Sequence, residues 1–113
     1  MRKVPKIRNM KIKSHAELFA ALGDETRLLI VRKLAHGPPC SIAELTDGTK
    51  MTRQAVTKHL RVLERVGIVH SIRSGRESVF EFESASMQDL QDYLDFVNQK
   101  DEALMSLKDF VED

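Results

Sequence analysis

Apolar residues along the chain fall into five helix-like groups and one strand-like pair, separated by glycine, proline and small polar residues. Leu18, Phe19 and Leu22 recur at helical spacing and predict a short helix over 14–22 with those three residues inside, capped by Ser14 and ended by Gly23. Asp24 then precedes Glu25 and the run Leu28, Leu29, Ile30, Val31 and Leu34, which predicts a second helix with Asp24 as its N-cap. Pro38 and Pro39 stop it, because a helix cannot continue through two successive prolines. The segment Ser41-Ile42-Ala43-Glu44 has the spacing of a capping box and opens a short helix through about Thr46.

Residues 47–51 make a tight connection, and Thr52 is placed to cap a longer helix that ends before Gly67. From Ile68 to Arg73 the pattern loosens into a strand, and Ser74-Gly75-Arg76 turns the chain back. Ser78, Phe80 and Phe82 share one face of the returning strand. From Ser84 or Ser86 onward neither glycine nor proline interrupts the chain, so one long helix of about 28 residues and about 40 Å is expected. The organisation is then a flexible basic arm over 1–13 and one domain over 14–113. The expected fold class is mainly α with a small β-hairpin, the order of a winged helix-turn-helix.

The helix over 52–66 has two distinct faces. With Ala55 at zero and 100° per residue, Val56, Leu60, Leu63 and Val66 lie between about 20° and 140°. Gln54, Thr57, Lys58, Arg61 and Arg65 lie between about 200° and 300°. The first set can enter a core; the second is a polar stripe suited to the major groove, where Arg and Gln make bidentate contacts to guanine and adenine. His59, at about 40°, falls among the apolar positions and reads as a partly buried structural histidine. Arg73 and Arg76 flank Gly75 at the hairpin tip, a position from which guanidinium groups can straddle phosphates.

Charge sharpens this picture. The net charge of +1 conceals opposed blocks: residues 48–82 hold seven basic and three acidic groups, and residues 83–113 hold two basic and nine acidic. Residues 1–13 hold six basic groups and no acidic ones. Such segregation points to an anionic partner for one region alone. At 113 residues the chain has room for one core, and its one cysteine, Cys40, cannot form an internal disulfide. No apolar run approaches a membrane span, no secretory h-region is present, and a cytoplasmic location is expected.

These residues resemble the ArsR family of bacterial winged-helix transcriptional repressors. The resemblance is carried by Ala21-Leu22-Gly23-Asp24-Glu25-Thr26-Arg27-Leu28-Leu29-Ile30, by Ser41-Ile42-Ala43-Glu44-Leu45, and above all by the segment 53–69. It implies a homodimer that binds an inverted-repeat operator in double-stranded DNA through a recognition helix (52–66) and a wing (69–82). The candidate DNA-contacting residues are Arg53, Gln54, Thr57, Lys58, Arg61, Arg73 and Arg76. Gln54, Thr57 and Arg61 are expected at base edges, with Lys58, Arg73 and Arg76 on the backbone. Met87, Leu90, Leu94, Val97, Leu104 and Val111 follow 3–4 spacing in the terminal helix, widened by Leu107 and Phe110. The expected dimer interface therefore comprises Leu18, Leu90, Leu94, Val97, Leu104 and Leu107.

The chain departs from the family's metal sensors. Their Cys-x-Cys pair is replaced by Cys40-Ser41-Ile42, and the last 31 residues contain no histidine. Zinc or cadmium sites gather three or four soft or borderline ligands, whereas His15, His36, His59 and His70 are scattered over different elements. No metal or other cofactor is expected; an effector of unknown kind is left open. A second reading is a winged-helix module that binds protein without reading DNA, against which stand the basic stripe and wing. A small enzyme finds no phosphate loop, nucleophile pair or metal spacing in its favour.

Overall fold

Five helices and three strands follow one another in the computed structural model, which describes residues 12–99. They are α1 (Ile12–Leu22), α2 (Glu25–Ala35), β1 (Cys40–Ser41), α3 (Ile42–Thr46), α4 (Arg53–Arg65), β2 (Val69–Ser74), β3 (Glu77–Phe82) and α5 (Ser84–Val97). Local chemistry starts most of the helices. Asp24 accepts from the Arg27 backbone N–H at 3.0 Å to cap α2, and Thr52 accepts from the Ala55 N–H at 3.0 Å to cap α4. At α3 both arms of the capping box form: the Glu44 N–H donates to Ser41 Oγ, and the Ser41 N–H donates to Glu44 Oε1 at 2.8 Å.

The end of α4 is equally well defined. The Ile68 N–H donates to Leu63 O and the Gly67 N–H to Glu64 O, both at 3.0 Å, with Gly67 at φ +82°. This is a Schellman closure, which needs the left-handed conformation that glycine adopts without strain. Ser86 Oγ of α5 donates to Gly67 O at 3.0 Å, so α5 covers the carbonyl end of α4.

The sheet is antiparallel, in the order β1-β3-β2. Its third strand, β1, was not foreseen from the sequence: it pairs Cys40 with Phe80 and Ser41 with Val79. The core gathers one face from each layer, with Leu60, Leu63, Ile68, Val56 and Val69 fully enclosed and Leu34, Leu45, Phe80 and Leu90 around them. The apolar face read from the helical wheel of α4 is thus the face that is buried.

Four expectations change. Ser14 sits inside α1 and does not cap it, because α1 already starts at Ile12 and is held by burial of His15, Leu18 and Ala21. Phe19, expected inside, is 39% exposed on the outer side of α1. The terminal helix, expected to run about 28 residues, closes at Val97 after 14, with Asn98 as its C-cap. Leu18 and Leu90, expected at a dimer surface, are each only 5% exposed because they pack into the protomer's own core. Residues 1–11 of the basic arm, and Leu104, Leu107, Phe110 and Val111, lie outside the described residues.

Candidate nucleic-acid interface

The polar stripe of α4 is free of packing because the opposite side of the helix carries Val56, Leu60 and Leu63 into the core. Arg53, Gln54, Thr57 and Lys58 line one open depression over the first half of α4. Three of these side chains are exposed and Thr57 is half-buried. The Thr57 hydroxyl donates to Arg53 O at 2.7 Å. Its proton is therefore engaged within the helix, leaving the oxygen lone pairs and the methyl group to meet a ligand.

Arg61 is not brought together with this group. Its guanidinium donates to Glu64 Oε1 at 3.3 Å, one turn on. The other Glu64 oxygen accepts from Ser71 Oγ of β2 at 3.4 Å. Glu64 thus links the second half of α4 to the root of the hairpin, and Arg61 stands beside that link. An i,i+3 Arg–Glu pair was visible in the sequence and is the signal that could have separated Arg61 from Gln54.

The register of the hairpin fixes the direction of its arginines. Val69, Ser71 and Arg73 alternate with His70, Ile72 and Ser74, and Ser71 is the residue that meets α4. Arg73 shares that face and donates through Nε to Gly75 O at 3.4 Å, which braces the tip. Gly75 has φ +66° in the two-residue turn, and Arg76 beside it is exposed. The hairpin therefore carries two exposed guanidinium groups at its tip, while its root meets the second half of α4 through Ser71 and Glu64.

Behind α4 lies a polar junction that the sequence reading missed. His59, whose side chain is 21% exposed, turns its Nδ1 toward Arg27 at 3.2 Å and Asp24 at 3.9 Å. The Asp24 carboxyl is held below the usual carboxylate range, mainly by the Arg27 backbone N–H; partial burial opposes this, and the charge of Arg27 adds to it. Among the described residues no group of three or more His, Cys, Asp or Glu is arranged to hold a metal ion. No helix among them is long and apolar enough to cross a membrane.

A capped short helix, a turn, an amphipathic helix with a free basic face and a basic hairpin beside it define a winged helix-turn-helix DNA-binding transcriptional regulator. The comparisons agree. The sequence profile of a helix-turn-helix domain family matches residues 22–72. The chain is 39% identical over 79 residues to YuzN, an uncharacterized HTH-type transcriptional regulator of Bacillus subtilis, covering 65% of this chain and 86% of that one. It is 36% identical over 64 residues to the HTH-type transcriptional repressor SmtB of Mycobacterium tuberculosis, covering 57% of this chain and 47% of that one. Among solved structures, an ArsR-like transcriptional regulator from Rhodococcus sp. RHA1 superposes with a TM-score of 0.75 at 31% identity, covering 87% of this chain and 92% of that one. The chain belongs to the ArsR family of transcriptional regulators, which are not enzymes.

Proposed function

We propose that the protein works as a cytoplasmic homodimer that represses transcription by binding an inverted-repeat operator. Gln54 and Thr57 read bases, with Arg53 and Lys58 beside them; Arg61, Arg73 and Arg76 hold phosphates. The observation that carries this reading is the open depression lined by Arg53, Gln54, Thr57 and Lys58 on the unpacked face of α4, a helix to which the arginine-bearing hairpin is joined at its root through Ser71 and Glu64. N-terminal residues of a recognition helix are the ones that approach base edges, and Arg53, Gln54, Thr57 and Lys58 occupy that end. Arg61 moves from base reader to phosphate holder because Glu64 already engages it near the wing. The repressor role is taken from SmtB, which carries that name.

Dimerisation is supported by what α1 and α5 leave uncovered. Ile12, Phe19, Leu94 and Val97 are 59%, 39%, 47% and 56% exposed, and Phe19 meets Tyr93 of α5 edge-on at 6.0 Å. Four of the seven exposed large apolar side chains among the described residues lie on these two packed helices, the others being Leu28, Leu29 and Ile72, and such a cluster suits an association surface. Sedimentation at micromolar concentration tests this: a mass of two chains is expected, and a sharp one-chain species contradicts it.

Repression is proposed to be independent of metal ions. Cys40 is the single thiol, it is buried, and its Sγ donates to Pro38 O at 3.5 Å. A tight zinc or cadmium site needs several ligands arranged together. Stoichiometric zinc or cadmium should leave DNA affinity within twofold of the metal-free value, and Cys40→Ser should repress normally. One tightly bound metal per subunit that shifts operator binding tenfold would overturn this part of the reading.

A further inference from the structure

The junction behind the recognition helix joins three elements through one side chain. Arg27 Nε donates to Ala21 O at 2.6 Å, and NH1 of the same guanidinium approaches His59 Nδ1 at 3.2 Å. Ala21 lies in the last turn of α1, where helix carbonyls lack partners within their own helix and a cation is favoured. Its carbonyl is therefore a strong acceptor. The Arg27 backbone N–H, in turn, is fixed by the Asp24 cap. Arg27 is thus anchored at its root by α2, reaches back to close α1, and reaches forward to the middle of α4.

A guanidinium only donates, so the contact with His59 requires Nδ1 to be the unprotonated acceptor of the ring, with the proton on Nε2. The charged groups that touch this ring are Asp24 and Arg27, both from the start of α2. Among the described residues, no hydrogen bond or ion pair reaches it from α3 or the hairpin. α1 contributes only the Ala21 carbonyl, through Arg27.

We propose that Arg27 is a positioning residue for DNA readout: it sets the recognition helix against the end of α1, with His59 as the acceptor that makes the link. The inference rests on α4 being the DNA-reading helix and α1 part of the dimer surface. In a dimer, two recognition helices enter successive major grooves, so a small rotation of α4 relative to the dimer helices misplaces both.

Three variants test this: Arg27→Lys, His59→Asn and His59→Leu. Lysine keeps the charge but cannot reach Ala21 O and His59 at once from one planar fork. Asparagine offers an amide oxygen near the Nδ1 position; leucine offers no acceptor. The probe is the duplex that the wild-type protein selects from a random-sequence pool, titrated beside a random duplex. Melting temperatures report folding separately.

Arg27→Lys and His59→Leu should lose about tenfold in affinity for the selected duplex and little for the random one. His59→Asn, which restores an acceptor, should keep wild-type affinity for the selected duplex and wild-type discrimination. Wild-type discrimination in Arg27→Lys and His59→Leu, or a loss in His59→Asn as large as in His59→Leu, overturns the proposal. If Arg27→Lys does not fold, the two His59 variants decide alone. Failure of the wild-type protein to select any duplex would instead refute the reading of α4, and this inference with it.

Discussion

Replacing Leu94 and Val97 together by glutamate is expected to convert the protein to a monomer and to lower operator affinity by about a hundredfold or more. Both side chains are about half exposed in the single chain and lie outside its enclosed core, so glutamate there leaves that core intact. In a dimer they would be covered, and four unpaired carboxylates would have to leave water, which costs several kcal/mol. The loss at DNA follows from linkage. Two half-sites bound by one dimer gain a high effective concentration for the second contact, typically worth 10²–10⁴. Sedimentation and operator titration of the double variant, with circular dichroism as the folding control, check the expectation. A folded variant that stays dimeric, or that binds as tightly as wild type while monomeric, contradicts it.

Gln54→Ala and Arg76→Ala are expected to fail in opposite ways. A glutamine amide can pair with both the donor and the acceptor on one adenine edge, so its removal should cost about 1–3 kcal/mol on the operator and little on random DNA. Arg76 at the hairpin tip is exposed and meets an anionic ridge whatever its sequence. Its removal should weaken both duplexes alike and lower the slope of log affinity against log salt by about one. Arg61→Ala should follow Arg76 and not Gln54, because its guanidinium stands with Glu64 by the wing and away from the depression. Titrations of each variant over a salt series decide. Discrimination lost with Arg76 and retained without Gln54 would reverse the division of labour.

The parts of the fold that were legible in the sequence are those decided by a few neighbouring residues. Asp24, the Ser41–Glu44 pair and Thr52 are caps whose chemistry is complete within four positions, and each forms as read. The buried face of α4 followed from spacing alone. Strand β1 did not, because two residues carry no period of their own and Cys40 pairs with Phe80 from a distant part of the chain. The 3–4 pattern after Ser84 continued past the point where the helix ends, since apolar spacing does not register the C-cap at Asn98. Leu18 and Leu90 fitted both a dimer seam and a core, and only the packing of α1 and α5 on the domain distinguishes the two.

The candidate site shows the same division. The stripe from Gln54 to Lys58 was readable because one helix holds it. The Arg27 bridge was not, because Ala21, Arg27 and His59 come from three helices, and nothing local in the sequence pairs Arg27 with His59, 32 residues on. Thr57 was read as a hydrogen-bonding group, and its hydroxyl proton proves to be engaged inside its own helix.

Hydroxyl-radical footprinting of the wild-type protein on the duplex it selects tests the central claim most directly. A dimer that inserts two copies of α4 should protect two half-sites of inverted sequence on one face of the DNA, about 34–36 Å or a multiple of that apart, with the wings extending protection outward. One asymmetric protected patch, or even protection along the whole duplex, would contradict it.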